Sequence, residues 1–293
     1  MSSTPRRRSN PLARMGILAA TVIGAFSLAA CKPPTPDQDA FYTPPSPLPA
    51  GQPGDVIRSR NAVFTLDPVA QTPVPGVKST QVLYRSTNAL GQANAVSGTV
   101  LVPTTPWLGI GQRPLVSWGV GTRGIGDACA PSYTLSQGAD YEMLFVKAAL
   151  DRGWAVAVSD YEGLGTPGTH TYVVGRSEGR ALLDMARAAI RTPGTGLSAN
   201  TPVGLIGYSQ GGGAAGWAAE MAGTYAPELK IKGTAAGGIP GDLTAVANFV
   251  EGGPVVSLAL LASLGLDAAY PELNLDSYLN AKGESLVDEA NTL

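Results

Sequence analysis

The stretch Pro202-Val-Gly-Leu-Ile-Gly-Tyr-Ser-Gln-Gly-Gly-Gly-Ala-Ala-Gly-Trp217 constrains the fold of this chain more than any other. It predicts a short buried strand, a sharp turn at Gly207-Tyr-Ser-Gln-Gly211 and a helix of small residues. In a turn of this G-x-S-x-G kind the serine sits at the tip of a strained strand-to-helix elbow, its hydroxyl exposed above a parallel sheet. The glycines two before and two after Ser209 answer a steric demand, because a side chain at either place would collide across the turn. Gly212, Gly213 and Gly216 each weaken an isolated helix by about 1 kcal/mol relative to alanine, so this helix is expected to lie close against the sheet.

The rest of the chain supplies a sheet for that elbow. Strands are expected at Ala62–Leu66, Gln81–Ser86, Ala95–Val102, Arg113–Val120, Trp154–Ser159 and Ile231–Gly238, and helices at Tyr141–Arg152 and Arg176–Arg191. From Arg113 onward strands alternate with helices, which predicts an α/β fold with a mainly parallel sheet and a ligand site at the carboxyl ends of the strands. Val255–Leu266 is a mostly apolar run of 12 residues that reads either as a core helix or as part of a cap over the ligand site. Leu275–Ala290 has apolar residues at loosely helical spacing. With 293 residues, 44% of them hydrophobic, the chain can bury one large core. Charged residues are only 14% and neither sign dominates, so nothing points to a nucleic-acid partner.

The N-terminus reads as an export signal over residues 1–30: Arg6, Arg7, Arg8 and Arg14 precede the apolar run Met15–Ala30. That run of 16 residues falls short of the roughly 20 that span a membrane. Leu28-Ala29-Ala30-Cys31 resembles the bacterial lipobox, in which the cysteine carries the lipid; the alternative is an ordinary signal-peptidase site beside an incidental cysteine. Removing residues 1–30 leaves 16 basic against 22 acidic residues. The proline-rich tether that follows is assigned to residues 31–40, within a longer stretch, Lys32–Gly54, that holds eight prolines and is expected to be extended. One histidine and two widely separated cysteines offer no metal-ligand cluster, and no cofactor is implied.

Several stretches taken together carry a resemblance: Phe41-Tyr-Thr-Pro-Pro45, Ser117-Trp-Gly119, Cys129-Ala-Pro-Ser-Tyr133, Asp160-Tyr-Glu-Gly-Leu-Gly165, Gly207-Tyr-Ser-Gln-Gly211 and Ala236-Gly-Gly-Ile-Pro-Gly-Asp-Leu243. With these, the chain from about residue 41 onward resembles the secretory lipase family of α/β-hydrolases. The resemblance implies a core over 41–240, a helical cap segment over 241–293, and a secreted or surface-anchored triacylglycerol lipase or carboxylesterase working through an acyl-enzyme. Ser209 carries over as nucleophile and Gln210 as the residue whose N–H faces the oxyanion. The second oxyanion donor is expected in the loop Gly121–Asp127, with Thr122 the chosen residue. Partners implied are a lipid or small ester, and a membrane through Cys31. A non-catalytic lipid-binding protein, or an acyltransferase or exopeptidase on the same scaffold, are the competing readings.

A serine hydroxyl needs a base, and in this fold an acid and then a histidine follow the serine in the chain. None of the 84 residues after Ser209 is histidine. The only histidine, His170, lies in the Gly165–Thr171 loop, where it reads as a solvent-facing residue or as a substitute base. Asp242 follows the last expected strand and takes no triad role in the resemblance. Relatives pair the cysteine that matches Cys129 with one farther along, so the resemblance also implies a C-terminally truncated copy.

Overall fold

A computed structural model describes residues 33–292, with side chains through Glu289. The export signal, Cys31 and the start of the tether lie outside the described residues. Seven strands form one sheet: β1 (Val56–Ala62), β2 (Val77–Thr87), β3 (Ala93–Pro103), β4 (Leu115–Gly119), β5 (Ala155–Ser159), β6 (Pro202–Tyr208) and β7 (Lys230–Gly237). Their spatial order is β1-β2-β3-β5-β4-β6-β7. The first four strands in that order pair antiparallel, and β5, β4, β6 and β7 pair parallel. Only β1 and β3 run against the common direction, so the sheet is mainly parallel as the alternation from Arg113 predicts.

The helices are α1 (Pro131–Gln137), α2 (Met143–Asp151), α3 (Gly175–Arg191), α4 (Gln210–Tyr225), α5 (Leu243–Val250), α6 (Ser257–Ala269) and α7 (Ala281–Thr292). Adjacent residues of a strand point to opposite faces of a sheet. Ser117 donates its hydroxyl to Leu182 O of α3, while Trp118 donates from Nε1 to Glu142 just before α2, so α2 and α3 cover opposite faces. The core between them is apolar and continuous, with Leu115, Val156, Val158, Leu182, Met185, Val203 and Leu205 all inaccessible or nearly so.

Several elements depart from the sequence reading. The expected strand Ala62–Leu66 is the end of β1 followed by a turn: Asp67 Oδ1 accepts from the N–H groups of Val69 and Ala70, and Val74 N–H donates to Phe64 O. Phe64 is buried for tertiary reasons, which mimicked a strand pattern. The expected helix Leu275–Ala290 divides into a 3-10 turn (Leu275–Tyr278) and α7, because Asn280 Oδ1 caps the later helix by accepting from Gly283 N–H. Helix α1 was not foreseen, although Pro131 at its first turn is a start signal. In the proline-rich stretch, Tyr42 is 1% exposed and its hydroxyl pairs with Ser132 Oγ, so this segment is packed onto the core.

Candidate active site

The elbow forms where β6 meets α4. Ser209 has φ +58° and ψ −122°, a conformation that L residues rarely adopt, and it directly precedes the first turn of α4. Three glycines make room for the turn. A Cβ at Gly207 would lie 2.0 Å from Gly211 O, one at Gly211 would lie 2.0 Å from Gly119 O, and one at Gly119 would lie 2.9 Å from Gly211 O. Gly212 is crowded in the same way, 2.1 Å from Gly237 O of β7. The small-residue start of α4 therefore lets the helix N-terminus rest on the ends of β4 and β7. Ser209 is half-buried, and its side chain caps no helix.

Beside Ser209 lies an apolar groove of about 310 Å³. Its lining includes Tyr172 and Val173 on one side and Leu243, Val250, Leu258 and Leu266 from α5 and α6 on the other. Helix α6 approaches the Tyr172 backbone so closely that a Cβ at Gly265 would lie 2.4 Å from Tyr172 N and O. The Val255–Leu266 run is thus largely helix, and its residues Leu258, Ala259, Ala262, Ser263 and Leu266 form a groove wall. Asp242, which received no triad role, is the N-cap of α5, with Oδ1 accepting from Ala245 N–H.

The loop after β4 runs beside the elbow, since Gly119 pairs with Gly207 and a Cβ at Gly121 would lie 3.4 Å from Tyr208 O. A buried charge cluster holds it. Arg123 binds Asp140 through Nε at 2.8 Å and Nη2 at 2.6 Å, and reaches Gly121 O through Nη1 at 2.7 Å. Glu142 accepts from Gly121 N–H at 2.8 Å and from Trp118 Nε1. Gly121 N–H is thereby consumed, whereas the N–H groups of Thr122 and Gln210 donate to no acceptor among the described residues. The Thr122 hydroxyl pairs with Tyr172 OH at 2.6 Å.

His170 is fully buried, not solvent-facing, and both its ring nitrogens are engaged. Nδ1 lies 2.8 Å from Glu162 O and Nε2 lies 2.8 Å from Gln210 Nε2. The carbonyl needs a donor and the amide nitrogen is one, so the ring carries its proton on Nδ1 and its Nε2 lone pair accepts from Gln210. Burial holds its pKa down at about 4. The one histidine of the chain is a neutral acceptor inside the fold, with no lone pair left for Ser209.

The other Gln210 Nε2 hydrogen goes to Glu178 Oε1 at 2.8 Å, and the same oxygen accepts from Val173 N–H at 2.9 Å. Burial pushes the Glu178 pKa up to about 8. Sequence reading passed over Glu178, Arg123 and Glu142. For Glu178 a signal existed, because it lies four residues before Leu182 and so on the apolar face of α3. Cys129 is half-buried with a free thiol.

Comparison with known proteins places the fold and the family. The family model described as secretory lipase matches residues 130–293. Probable inactive lipase MT1628 of Mycobacterium tuberculosis is 37% identical over 272 residues, which cover 88% of this chain and 58% of that protein. Secreted triacylglycerol lipase LIP2 of Malassezia furfur is 32% identical, over 95% of this chain and 59% of its own length. The X-ray structure of Candida antarctica lipase A in its closed state superposes with a TM-score of 0.75 at 31% identity, covering 89% of this chain and 60% of that one. The chain spans about three fifths of the length of these relatives. On the family match and the shared fold, the chain belongs to the secretory lipase family, with the α/β-hydrolase architecture.

Proposed function

We propose that the chain binds acyl esters of the triacylglycerol type and presents them to Ser209 for acyl transfer to water. The observation that carries this reading is the strained Ser209 beside an apolar groove of about 310 Å³. In this reading the acyl chain lies between Tyr172, Val173 and helices α5 and α6. Ser209 Oγ attacks the carbonyl carbon, and the oxyanion that forms accepts from the N–H groups of Gln210 and Thr122. The tetrahedral adduct collapses with cleavage of the ester C–O bond and expels the alcohol, which takes up a proton; water then attacks the acyl-enzyme, releasing the acid and restoring the Ser209 hydroxyl. His170 is committed elsewhere, so in this reading the Ser209 proton passes to solvent.

Turnover of p-nitrophenyl butyrate by the purified chain, lost in Ser209→Ala, is the expected result. Absence of any Ser209-dependent turnover overturns hydrolysis. A second reading then gains force, in which the chain holds acyl lipids without cleaving them. Two observations favour it: the sequestered His170, and the inactivity stated in the name of the mycobacterial relative. Binding of a fluorescent fatty acid to both wild type and Ser209→Ala, without turnover by either, is its signature.

We also propose export, with the lipid anchor at Cys31. The arginines before Met15–Ala30 and the alanines before Cys31 support it. Incorporation of labelled palmitate that disappears in Cys31→Ala tests the anchor.

A further inference from the structure

We infer that Glu178 is a positioning residue: through the Gln210 side chain it sets the direction of the Gln210 N–H toward the oxyanion, and through Val173 N–H it sets the wall of the acyl groove. This inference rests on the ester reading above and adds a residue that the elbow motif does not contain.

The geometry points there from three sides. Gln210 is 3% exposed, and its two amide hydrogens are both spent, one on Glu178 and one on His170. The residue after the nucleophile is therefore gripped by its side chain and cannot rotate about its own backbone without breaking both bonds. The same Glu178 oxygen holds the N–H of Val173, a β-branched residue at φ +55°, where such residues rarely sit. Val173 and its neighbour Tyr172 line the groove, and Tyr172 carries the weight of α6 at Gly265.

A purely electrostatic role for the carboxyl group is not what the surroundings provide. No cationic side chain bonds to Glu178 among the described residues. Its second oxygen, Oε2, takes no hydrogen bond there either, and the residue lines a separate cavity of about 200 Å³ with Gly213, Trp217 and Ile239. Burying an acid without a counterion is unfavourable. Burial raises its pKa even though both donors, Gln210 and Val173, pull the other way; the carboxyl group serves here as the acceptor for two fixed donors.

The test compares wild type, Glu178→Ala, Gln210→Ala, the double variant and Glu178→Gln in full-length protein, at a temperature where circular dichroism shows each one folded. Two quantities are read: Ser209-dependent hydrolysis of p-nitrophenyl acetate, too short to need the groove, and affinity for butylboronic acid, which forms a tetrahedral anion on a serine hydroxyl. A misplaced oxyanion donor costs about 100-fold in kcat. The expected result is a loss of that order in kcat for each alanine variant, with KM within about twofold, a parallel loss of boronate affinity, and a double variant no worse than either single one. Glu178→Gln, whose amide oxygen still accepts, regains most of the loss. Should Glu178→Ala fail to fold, Gln210→Ala and Glu178→Gln carry the same comparison. Wild-type rates in folded Gln210→Ala, or additive losses in the double variant, overturn the role of Glu178 while leaving the ester reading intact. A wild type that neither hydrolyses the ester nor binds the boronate overturns both.

Discussion

Gly207 and Gly211 stand so close across the elbow that a Cβ on Gly207 would be 2.0 Å from Gly211 O, well inside any non-bonded contact. The atom it would meet is backbone, which has no rotamer in which to retreat. Gly207→Ala is therefore expected to lower stability by about 1–3 kcal/mol, the usual range for overpacking a core. Gly223 supplies the control, since a Cβ there meets nothing within 4 Å and the residue lies inside α4. Gly223→Ala should raise stability by about 0.5–1 kcal/mol through helix propensity. Urea denaturation of both variants checks the pair, and equal effects at the two sites would contradict the steric account.

Ser209 bears a second kind of strain, in its own backbone. A non-glycine residue held at φ +58° and ψ −122° carries of order 1–3 kcal/mol, and the surrounding glycines leave the chain no other route from β6 into α4. Ser209→Gly relieves that strain but adds freedom to the unfolded chain worth about 0.5–1 kcal/mol. The net expectation is a protein about 1 kcal/mol more stable and devoid of Ser209 chemistry. Ser209→Ala keeps a Cβ and should show no such gain. Denaturation midpoints of the two variants separate backbone strain from the loss of the hydroxyl.

The loop after β4, which carries Thr122, is held by Arg123 through Asp140 and Gly121 O. Its side chain is 5% exposed, and it sits between Asp140 at 1% and Glu142 at 9%. Arg123→Met leaves two buried acids without their cation, and breaking a buried ion pair from one side costs about 3–5 kcal/mol. The same change frees Gly121 O, so the Thr122 N–H loses its fixed direction. The expected outcome is a lower urea midpoint together with a fall in ester turnover larger than the unfolded fraction explains. Turnover that simply tracks the folded fraction would limit Arg123 to a stabilising part.

What the sequence disclosed, and what it did not, follows from the range of each interaction. The elbow was legible because its demand is local: glycine at 207 and 211, apolar residues before, small residues after. The alternation of strands and helices from Arg113 onward was legible for the same reason, since each period is read within one element. The grip on Gln210 was not, because Glu178 lies 32 residues away and His170 lies 40 residues away. Nor could any local pattern say that Gly121 N–H would be taken by Glu142, which leaves Thr122 as the neighbour with a free donor. His170 read as a loop residue, and it is one; yet it is fully buried, with the rings of Tyr161 and Tyr172 nearby at 5.9 and 6.1 Å between centroids. Glu178 alone left a trace, a charge on the apolar face of α3.

Two buried groups near Ser209 titrate in opposite senses, which gives the protein a definite dependence of stability on pH. Glu178 is raised from 4.5 to about 8, so the fold prefers its protonated form; that contribution is complete below pH 4.5 and is lost as pH rises toward 8. His170 is lowered from 6.5 to about 4, so the fold prefers the neutral ring; that contribution is complete above pH 6.5 and is lost as pH falls toward 4. Between pH 4.5 and 6.5 the two slopes oppose each other, and Asp160, raised from 3.8 to about 6, adds to the Glu178 side over most of that window. Between pH 6.5 and 8 Glu178 acts without opposition from His170. Stability is therefore expected to rise as pH is lowered from 8 to 6.5, and Glu178→Gln, which cannot titrate, should flatten that rise while making the protein more stable at pH 8. Urea midpoints at pH 6.5 and pH 8 for wild type and Glu178→Gln decide it. A rise that survives in the variant would place the titrating group elsewhere in the fold.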